Sequence, residues 1–374
     1  MSDWHSIPLS ITQLSLAAVL KCGQSFRWSV FETVPHIEYR LCLRDRVVCL
    51  RQSRTTLFYR TIFPISPPIP ALKDAETLIW LNDYFQLHVD LSSLYQEWSV
   101  RDPVFAALQS RFQGIRMLRQ DPWENLISYV YIPSYLQMFI FSSFICSSNN
   151  NISRITKMIH ALCSHYSPPL LSLSDPTSEL KTRTYHPFPP PSILAAPGVA
   201  ATLRSLGFGY RADFIQRTAK MLVDAHGFSK LPGDSMEASE KWLIALRTKS
   251  ATEAREELLR FVGVGRKVAD CVLLMSLDKV SLFVLLFPGV DMTCCEQKEV
   301  VPVDTHVYQI AVKHYGLKGA SNGKKVTMTP KIYEDINTRL FDVWGDYAGW
   351  AHSVSFWSHS APSYIYIHAG TIYR

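Results

Sequence analysis

A chain of 374 residues, 47% hydrophobic and 19% charged, is long enough for two or three domains with an ample core and too apolar to be disordered. Its net charge of +6 suits an anionic partner without requiring one. The eight cysteines are scattered except for the adjacent Cys294 and Cys295, a spacing that suits neither a zinc site nor a C-x-x-C redox pair, so a reducing compartment is expected and no metal or cofactor. The opening MSDWHSIPLS lacks the basic and apolar stretches of a secretory signal.

Residues 1 to about 100 read as β-rich. SFRWSV, IEYRLCLRDRVVCLRQ and TTLFYRTIF alternate apolar and polar residues and are rich in aromatic and β-branched types, as half-buried antiparallel strands are. PISPPIPALKD reads as a linker. From about residue 104 the period becomes helical. DPWENLIS opens a helix, with Asp121 able to cap, Pro122 suited to the first turn and Glu124 near the positive helix end. SRITKMIHALCSHY carries apolar residues at helical spacing, and SILAAPGVAATLRSLGFGYRADFIQRTAKMLVDAHG reads as two helices around a Gly-rich turn. ATEAREELLRFVGVGRKVADCVLLMSLDK gives a helix, a Gly-x-Gly hairpin and a helix; THVYQIAVKHYG and IYEDINTRLFDVWGDYAGWAHSV supply the last helices. The expected class is α+β, an antiparallel sheet domain over 1–103 followed by a helical domain over 104–356.

FVGVGRKVADC carries the most chemistry. Gly263 and Gly265 permit positive φ and close backbone approach, and the amides that open the next helix can hold one phosphate without reading sequence. A helix–helix turn with an exposed lysine accounts for the same residues. Lys267, in the first turn of that helix, is a cation at the positive dipole end, which lowers its proton affinity toward what a Schiff-base nucleophile needs. Downstream, Asp304 in VPVDTH can cap a helix, which would hold its carboxylate anionic and able to stabilise positive charge at a sugar C1′.

The ordered set CGQSFRW, LRQDP, FICSSNNNISRI, LGFGYRA, GVGRKVADC, VPVDTH and YAGWA resembles the eukaryotic 8-oxoguanine DNA glycosylases over residues 20 to 354, with the helix-hairpin-helix motif at GVGRK; the usual proline before its first glycine is Val262. The resemblance implies a bifunctional glycosylase and apurinic-site lyase that acts on 8-oxoguanine and ring-opened purines opposite cytosine in duplex DNA. By the same resemblance, Lys267 is the nucleophile at C1′ and Asp304 assists base departure. Base flipping leaves a hole in the duplex. Asn149 fills it, and Arg154, Tyr210 and Arg211 wedge the helix and pair with the estranged cytosine. The Gly23 carbonyl accepts the N7–H that only the oxidised base carries. Cys271, His352 and Phe356 line the base pocket, His352 standing where the family often has a glutamine and bringing a pH-dependent side chain. His306, with Gly263 and Gly265, meets backbone phosphate. The implied protein is a nuclear monomer, with the mitochondrion as a second address, no membrane segment and downstream repair proteins as partners. A monofunctional alkyl-base or adenine glycosylase and a non-catalytic DNA-binding module are the rivals; Lys267 argues against the first, because a water-activating enzyme needs no amine there.

Three stretches interrupt this pattern: Tyr129–Ser143, 280–297 and the tail from about Val354, with 357–374 set apart as non-native. All are rich in Tyr, Phe, Ile, Leu and Ser, and two begin Val-Ser, encodable by a donor-like GTGAGT, so they read as translated introns. A spliced transcript that retains them would sink this reading. Such an intron would make the match at Phe356 accidental. The rival for the first stretch is a transmembrane helix, which its proline and polar groups disfavour.

Overall fold

The computed structural model describes residues 4–64, 71–130, 147–232, 234–278, 300–317 and 328–360. The interruptions over 131–143 and 280–297 and the tail beyond 360 lie outside the described residues. Tyr129 and Val130, the first two residues of the first interruption, form the buried last turn of a helix.

Five antiparallel strands, β1 (His5–Pro8), β2 (Ser29–Glu32), β3 (Ile37–Cys42), β4 (Val47–Gln52) and β5 (Thr56–Ile62), form a sheet in the order β1-β5-β4-β3-β2. The alternation read in the sequence sets its register: Tyr39 lies opposite Leu50 and Leu50 opposite Tyr59, so one row of apolar side chains enters one core. Leu14, Leu16 and Val19, around helix α1 (Leu16–Val19), pack into the same core. The opposite face carries Glu38, fully buried between Arg40 at 2.6 Å and Arg51 at 2.7 Å.

Helices begin earlier than the sequence periodicity placed them. α2 (Ala71–Tyr84) follows the proline-rich linker and closes the sheet core with Leu81 and Tyr84. α3 (Leu91–Arg101) and α4 (Pro103–Leu108) are capped by Asp90 and Asp102, whose carboxylates accept the Ser92 and Val104 amides at 3.1 and 2.9 Å. Leu94 and Trp98 of α3 pack with Tyr315, Leu340 and Trp344, so the helical layer draws on residues before 104. The expected DPWENLIS helix is α5 (Pro122–Val130), where the Glu124 amide donates to Asp121 Oδ1 at 3.0 Å.

α6 (Ser147–Tyr166) leads into a hairpin the periodicity missed, β6 (Leu171–Asp175) with β7 (Ser178–Tyr185). Tyr185 packs on Cys42, Val47 and Cys49, which explains why β3 is buried on both faces. Among the described residues the remaining α-helices are α7 (Pro191–Leu194), α8 (Val199–Leu203), α9 (Arg211–His226), α10 (Ala238–Ala245), α11 (Ala251–Leu259), α12 (Arg266–Met275), α13 (Thr305–His314), α14 (Pro330–Trp344) and α15 (Ala348–Ser360). α12 lies between two helical cores. Its Val272 and Leu273 face the α5, α6 and α9 side, and its Leu274 faces α3 and the C-terminal helices. No helix among the described residues is long and apolar enough to cross a membrane.

Candidate active site

The Gly-x-Gly hairpin joins α11 to α12. Gly263 has φ +82°, and a Cβ there would stand 2.8 Å from the Phe214 ring, so conformation and space both require glycine. The Thr218 hydroxyl donates to the Val262 carbonyl at 2.9 Å and ties the turn to α9. Gly265 is the N-cap of α12, with extended backbone and open space where a side chain would be.

In the first turn of α12, Lys267 Nζ lies 3.1 Å from Asp304 Oδ2, with the two side chains 30% and 13% exposed. Asp304 Oδ1 accepts the Val307 amide of α13 at 3.1 Å, so the aspartate is both the helix cap and the partner of the lysine. This corrects the expectation that the helix dipole lowers the Lys267 pKa. Burial pulls it down, but the Asp304 carboxylate, the Cys271 thiol and the hydrogen bond to Asp304 together outweigh burial and raise it. The resting amine is protonated and held.

Cys271 and His352 surround this pair. Cys271, one turn beyond Lys267, is buried, and burial pushes its thiol up to about 12. His352 on α15 is buried and feels both Asp304 and Lys267; burial lowers its pKa to about 4. The expected pH-dependent side chain is therefore a neutral imidazole throughout the physiological range. Gly349 lets α15 come this close: a Cβ there would stand 2.7 Å from both Leu274 and the Val300 carbonyl.

Gly23, with φ +81°, sits in a loop fixed by glutamines. Gln24 Nε2 donates to the Arg116 carbonyl at 2.9 Å, and Gln24 Oε1 accepts the Leu118 amide at 2.9 Å. Gln120 spans to α12, donating from Nε2 to the Gln24 carbonyl at 2.8 Å and from its amide to the Met275 carbonyl at 2.7 Å. The Gly23 carbonyl accepts the Tyr129 hydroxyl at 3.0 Å. Tyr129 is buried with Cys22 and Cys271 near enough to raise its pKa beyond what burial does. Gly23 and Cys271 thus converge on one buried phenol.

A Cβ on Gly23 would meet Ile152 of α6 at 3.4 Å, and one on Gly207 would meet Met158 of α6 at 3.9 Å, so α6 runs between the Gly23 loop and the LGFGYRA turn. Asn149 lies in the first turn of α6 and Arg154 is exposed on its second. Tyr210, 54% exposed, precedes α9, and the Arg211 guanidinium lies 4.3 Å over its ring. Tyr210 packs edge-on to Phe214, the ring that also blocks a Cβ at Gly263, so one residue links the LGFGYRA turn to the hairpin. The side chains of Asn149, His306 and Phe356 lie outside the described residues; their backbones are in α6, α13 and α15. Sequence reading missed Tyr129, Phe214 and Gly349. For Gly349 the quoted YAGWA motif was the available signal. The other two are apolar or aromatic helix residues with no local mark of their contacts.

Residues 6–126 match the model of the 8-oxoguanine DNA glycosylase N-terminal domain, and residues 142–332 match that of the HhH-GPD superfamily of base excision DNA repair proteins. The chain is 33% identical to the N-glycosylase/DNA lyase of Saccharomyces cerevisiae, over 94% of this chain and 84% of that one. It is 32% identical to the N-glycosylase/DNA lyase OGG1 of Arabidopsis thaliana, over 94% of this chain and 79% of that one. Its fold is similar to that of the Clostridium acetobutylicum 8-oxoguanine glycosylase/lyase in its apo form, at TM-score 0.65 and 22% identity, covering 96% and 97% of the two chains. The complex of that enzyme with duplex DNA containing cytosine opposite 8-oxoG matches at TM-score 0.62 and 22% identity, covering 92% and 91%. With both domain models matched in order, and the hairpin lysine and the helix-capping aspartate meeting at 3.1 Å, the chain belongs to the 8-oxoguanine DNA glycosylase family of N-glycosylase/DNA lyases.

Proposed function

We propose that the chain is a base-excision repair enzyme that removes 8-oxo-7,8-dihydroguanine, and ring-opened formamidopyrimidine purines, from duplex DNA opposite cytosine and then nicks the strand. The observation that carries this is the Lys267–Asp304 pair at the N-terminus of α12, where an amine and a carboxylate are fixed side by side on rigid elements.

The chemistry follows from that pairing. Lys267 must shed a proton, and the departing base must gain one, so the two needs balance. The neutral amine attacks C1′ as the bond from C1′ to the base nitrogen breaks, and Asp304 stabilises the positive charge that develops on the sugar. Opening of the sugar ring gives an iminium joining Lys267 to C1′. Loss of a C2′ proton then expels the 3′-phosphate, and water releases the lysine. The amine supplies the nucleophile, so no step calls on a metal. Among the described residues no three His, Cys, Asp or Glu side chains gather as metal ligands.

The remaining site assignments fit this reading. Gly263, Gly265 and the amides of the first turn of α12, with His306 at the start of α13, would grip backbone phosphate. Asn149, Arg154, Tyr210 and Arg211 would occupy the gap left by the flipped nucleotide and meet the orphan cytosine. Cys271, His352 and Phe356 would line the pocket, and the Gly23 carbonyl would accept N7–H of the oxidised base. For that base to reach Gly23, the Tyr129 hydroxyl must turn away. We further propose that the protein acts as a monomer in the nucleus, with the mitochondrion as a second site, and hands the nicked product to downstream repair proteins.

Borohydride reduction on a duplex with 8-oxoguanine opposite cytosine tests the reading. A covalent complex formed by the wild type and absent in Lys267→Gln supports it. Excision without trapping identifies a monofunctional glycosylase, and binding without excision a DNA-binding module; either outcome overturns it.

A further inference from the structure

The segment Val300–Val303, which delivers Asp304 to the site, is buried, yet it belongs to no helix and pairs with no strand among the described residues. Its backbone polar groups must find other partners. Two side chains one turn apart on α14 supply them. Asn337 Oδ1 accepts the Val301 amide at 3.0 Å, and its Nδ2 donates to the Val301 carbonyl at 3.2 Å. The Tyr333 hydroxyl accepts the Val303 amide at 3.0 Å and donates to Asp270 Oδ2 at 2.5 Å.

Asp270 belongs to α12, three residues after Lys267, and is fully buried. Its other oxygen accepts from Arg255 Nε at 2.6 Å. The Tyr333 ring is held from above by the Arg266 guanidinium, 4.1 Å from its centroid. A phenol has one proton to donate and lone pairs to accept with. One oxygen atom therefore joins the helix that carries Lys267 to the residue that precedes Asp304. A phenylalanine would fill the same volume, and an apolar residue at 270 would avoid burying a charge, which commonly costs more than its pairing returns. Packing alone does not ask for this chain of groups.

We propose that Tyr333 and Asp270 are positioning residues for the lysine–aspartate pair: the Asp270–Tyr333–Val303 relay fixes the register between α12 and the Val300–Val303 segment, and so the distance from Lys267 Nζ to Asp304. The proposal rests on the glycosylase/lyase reading.

Two variants delete the same hydrogen bond from opposite ends. Tyr333→Phe removes the hydroxyl and keeps the ring; Val303→Pro removes the amide and keeps Tyr333. Each is expected to lower the single-turnover rate of borohydride trapping by about 10- to 100-fold, the scale of a misplacement near 1 Å. Affinity for a duplex with a stable abasic analogue should stay within about twofold. The rise of trapping rate with pH should move to lower pH in Tyr333→Phe, because Asp304 no longer holds the charge on Lys267. The double variant should be no slower than the slower single one, since both remove one interaction. A wild-type rate and pH profile in Tyr333→Phe overturns the proposal. So does a rate loss matched by lost DNA affinity with an unmoved pH profile, a double variant whose losses multiply, or unfolding of both single variants by circular dichroism. Absence of trapping in the wild type would refute the lyase reading itself, which separates the two failures.

Discussion

Asp304 divides its carboxylate between two helices, Oδ1 accepting the Val307 amide of α13 and Oδ2 facing the Lys267 ammonium of α12, each at 3.1 Å. The two tasks separate by substitution. Asp304→Asn retains an oxygen for the cap and loses the charge, so folding should lose the pairing with Lys267 but keep the cap's contribution of about 1 kcal/mol. Base excision in single turnover should fall about 100-fold or more, the usual loss when a charge-stabilising group at a reacting centre is removed. Asp304→Ala loses the cap as well and should unfold more easily by about a further 1 kcal/mol. Thermal denaturation beside quenched-flow excision distinguishes them; equal excision in Asp304→Asn and the wild type would contradict the role.

The raised Lys267 pKa predicts the alkaline side of both activity and stability. Its folded value lies above its unfolded value of 10.5, so the stabilising pairing is complete below 10.5 and is lost as pH rises through the folded value. Between pH 5 and 9 Lys267 adds no slope to stability. Attack needs the neutral amine, so the trapping rate should climb with pH over the same range. In Asp304→Asn that climb should begin at lower pH, because the carboxylate that holds the proton is gone. A flat rate profile in the wild type would exclude proton loss from Lys267 as part of the limiting step.

Burial of His352 predicts acid sensitivity. Its pKa falls from 6.5 to about 4 in the folded protein, so its contribution to stability is complete above 6.5 and is lost as pH drops from 6.5 to 4. A shift of this size amounts to roughly 3 kcal/mol. His352→Gln removes this group and should remove its share of the acid loss. Urea denaturation at pH 7 and pH 4.5 measures this: the variant should lose less stability between the two than the wild type.

How much of this was legible in the sequence depends on where the information lay. The strands were readable because Tyr39, Leu50 and Tyr59 alternate with polar neighbours, and pleating converts alternation directly into a buried face. The hairpin, its lysine and the capping aspartate were readable because each has a local mark: glycines for the turn, a lysine in the first turn, an Asp-Thr cap. α2 and α3 were missed because they follow a β-rich run and a proline-rich linker, so the neighbouring composition hid the change of period. The protonation of Lys267 was misread because the helix dipole is local, whereas the opposing carboxylate is set by a contact across 37 positions of chain. Tyr333 carried no signal and Asp270 only its place in the quoted GVGRKVADC motif, since a tyrosine and an aspartate on amphipathic helices reveal nothing of a shared hydrogen bond.

The two glycines of the hairpin should behave differently. Gly263→Ala meets a left-handed φ of +82° and the Phe214 ring at 2.8 Å. The backbone strain alone costs about 1–2 kcal/mol, and displacement of Phe214 adds to it. Gly265 has extended backbone and nothing within 4 Å of an added Cβ, so Gly265→Ala should keep wild-type stability within about 0.5 kcal/mol. If α12 grips phosphate through its first amides, the new methyl group keeps the backbone of DNA away, and affinity for undamaged duplex should fall several-fold. Calorimetry and fluorescence anisotropy on the two variants check the contrast; unchanged affinity in Gly265→Ala would place the phosphate elsewhere.

Tyr129 makes the most discriminating prediction about base recognition. Its hydroxyl donates to the Gly23 carbonyl at 3.0 Å, the acceptor assigned to N7–H of the oxidised base, and also lies 2.9 Å from Met275 Sδ. A base that uses the carbonyl must first displace this donor, at a cost near the net value of one hydrogen bond, about 0.5–1.5 kcal/mol. Tyr129→Phe removes the competitor and preserves the ring that packs edge-on to Phe26. Its kcat/KM on 8-oxoguanine opposite cytosine should therefore rise by about two- to tenfold, the same energy expressed as a ratio. Undamaged guanine presents an acceptor at N7 and gains nothing from a freed carbonyl. The ratio of the two rates should widen with the variant, and a parallel change for both bases would show that Tyr129 controls entry to the pocket and takes no part in reading N7–H.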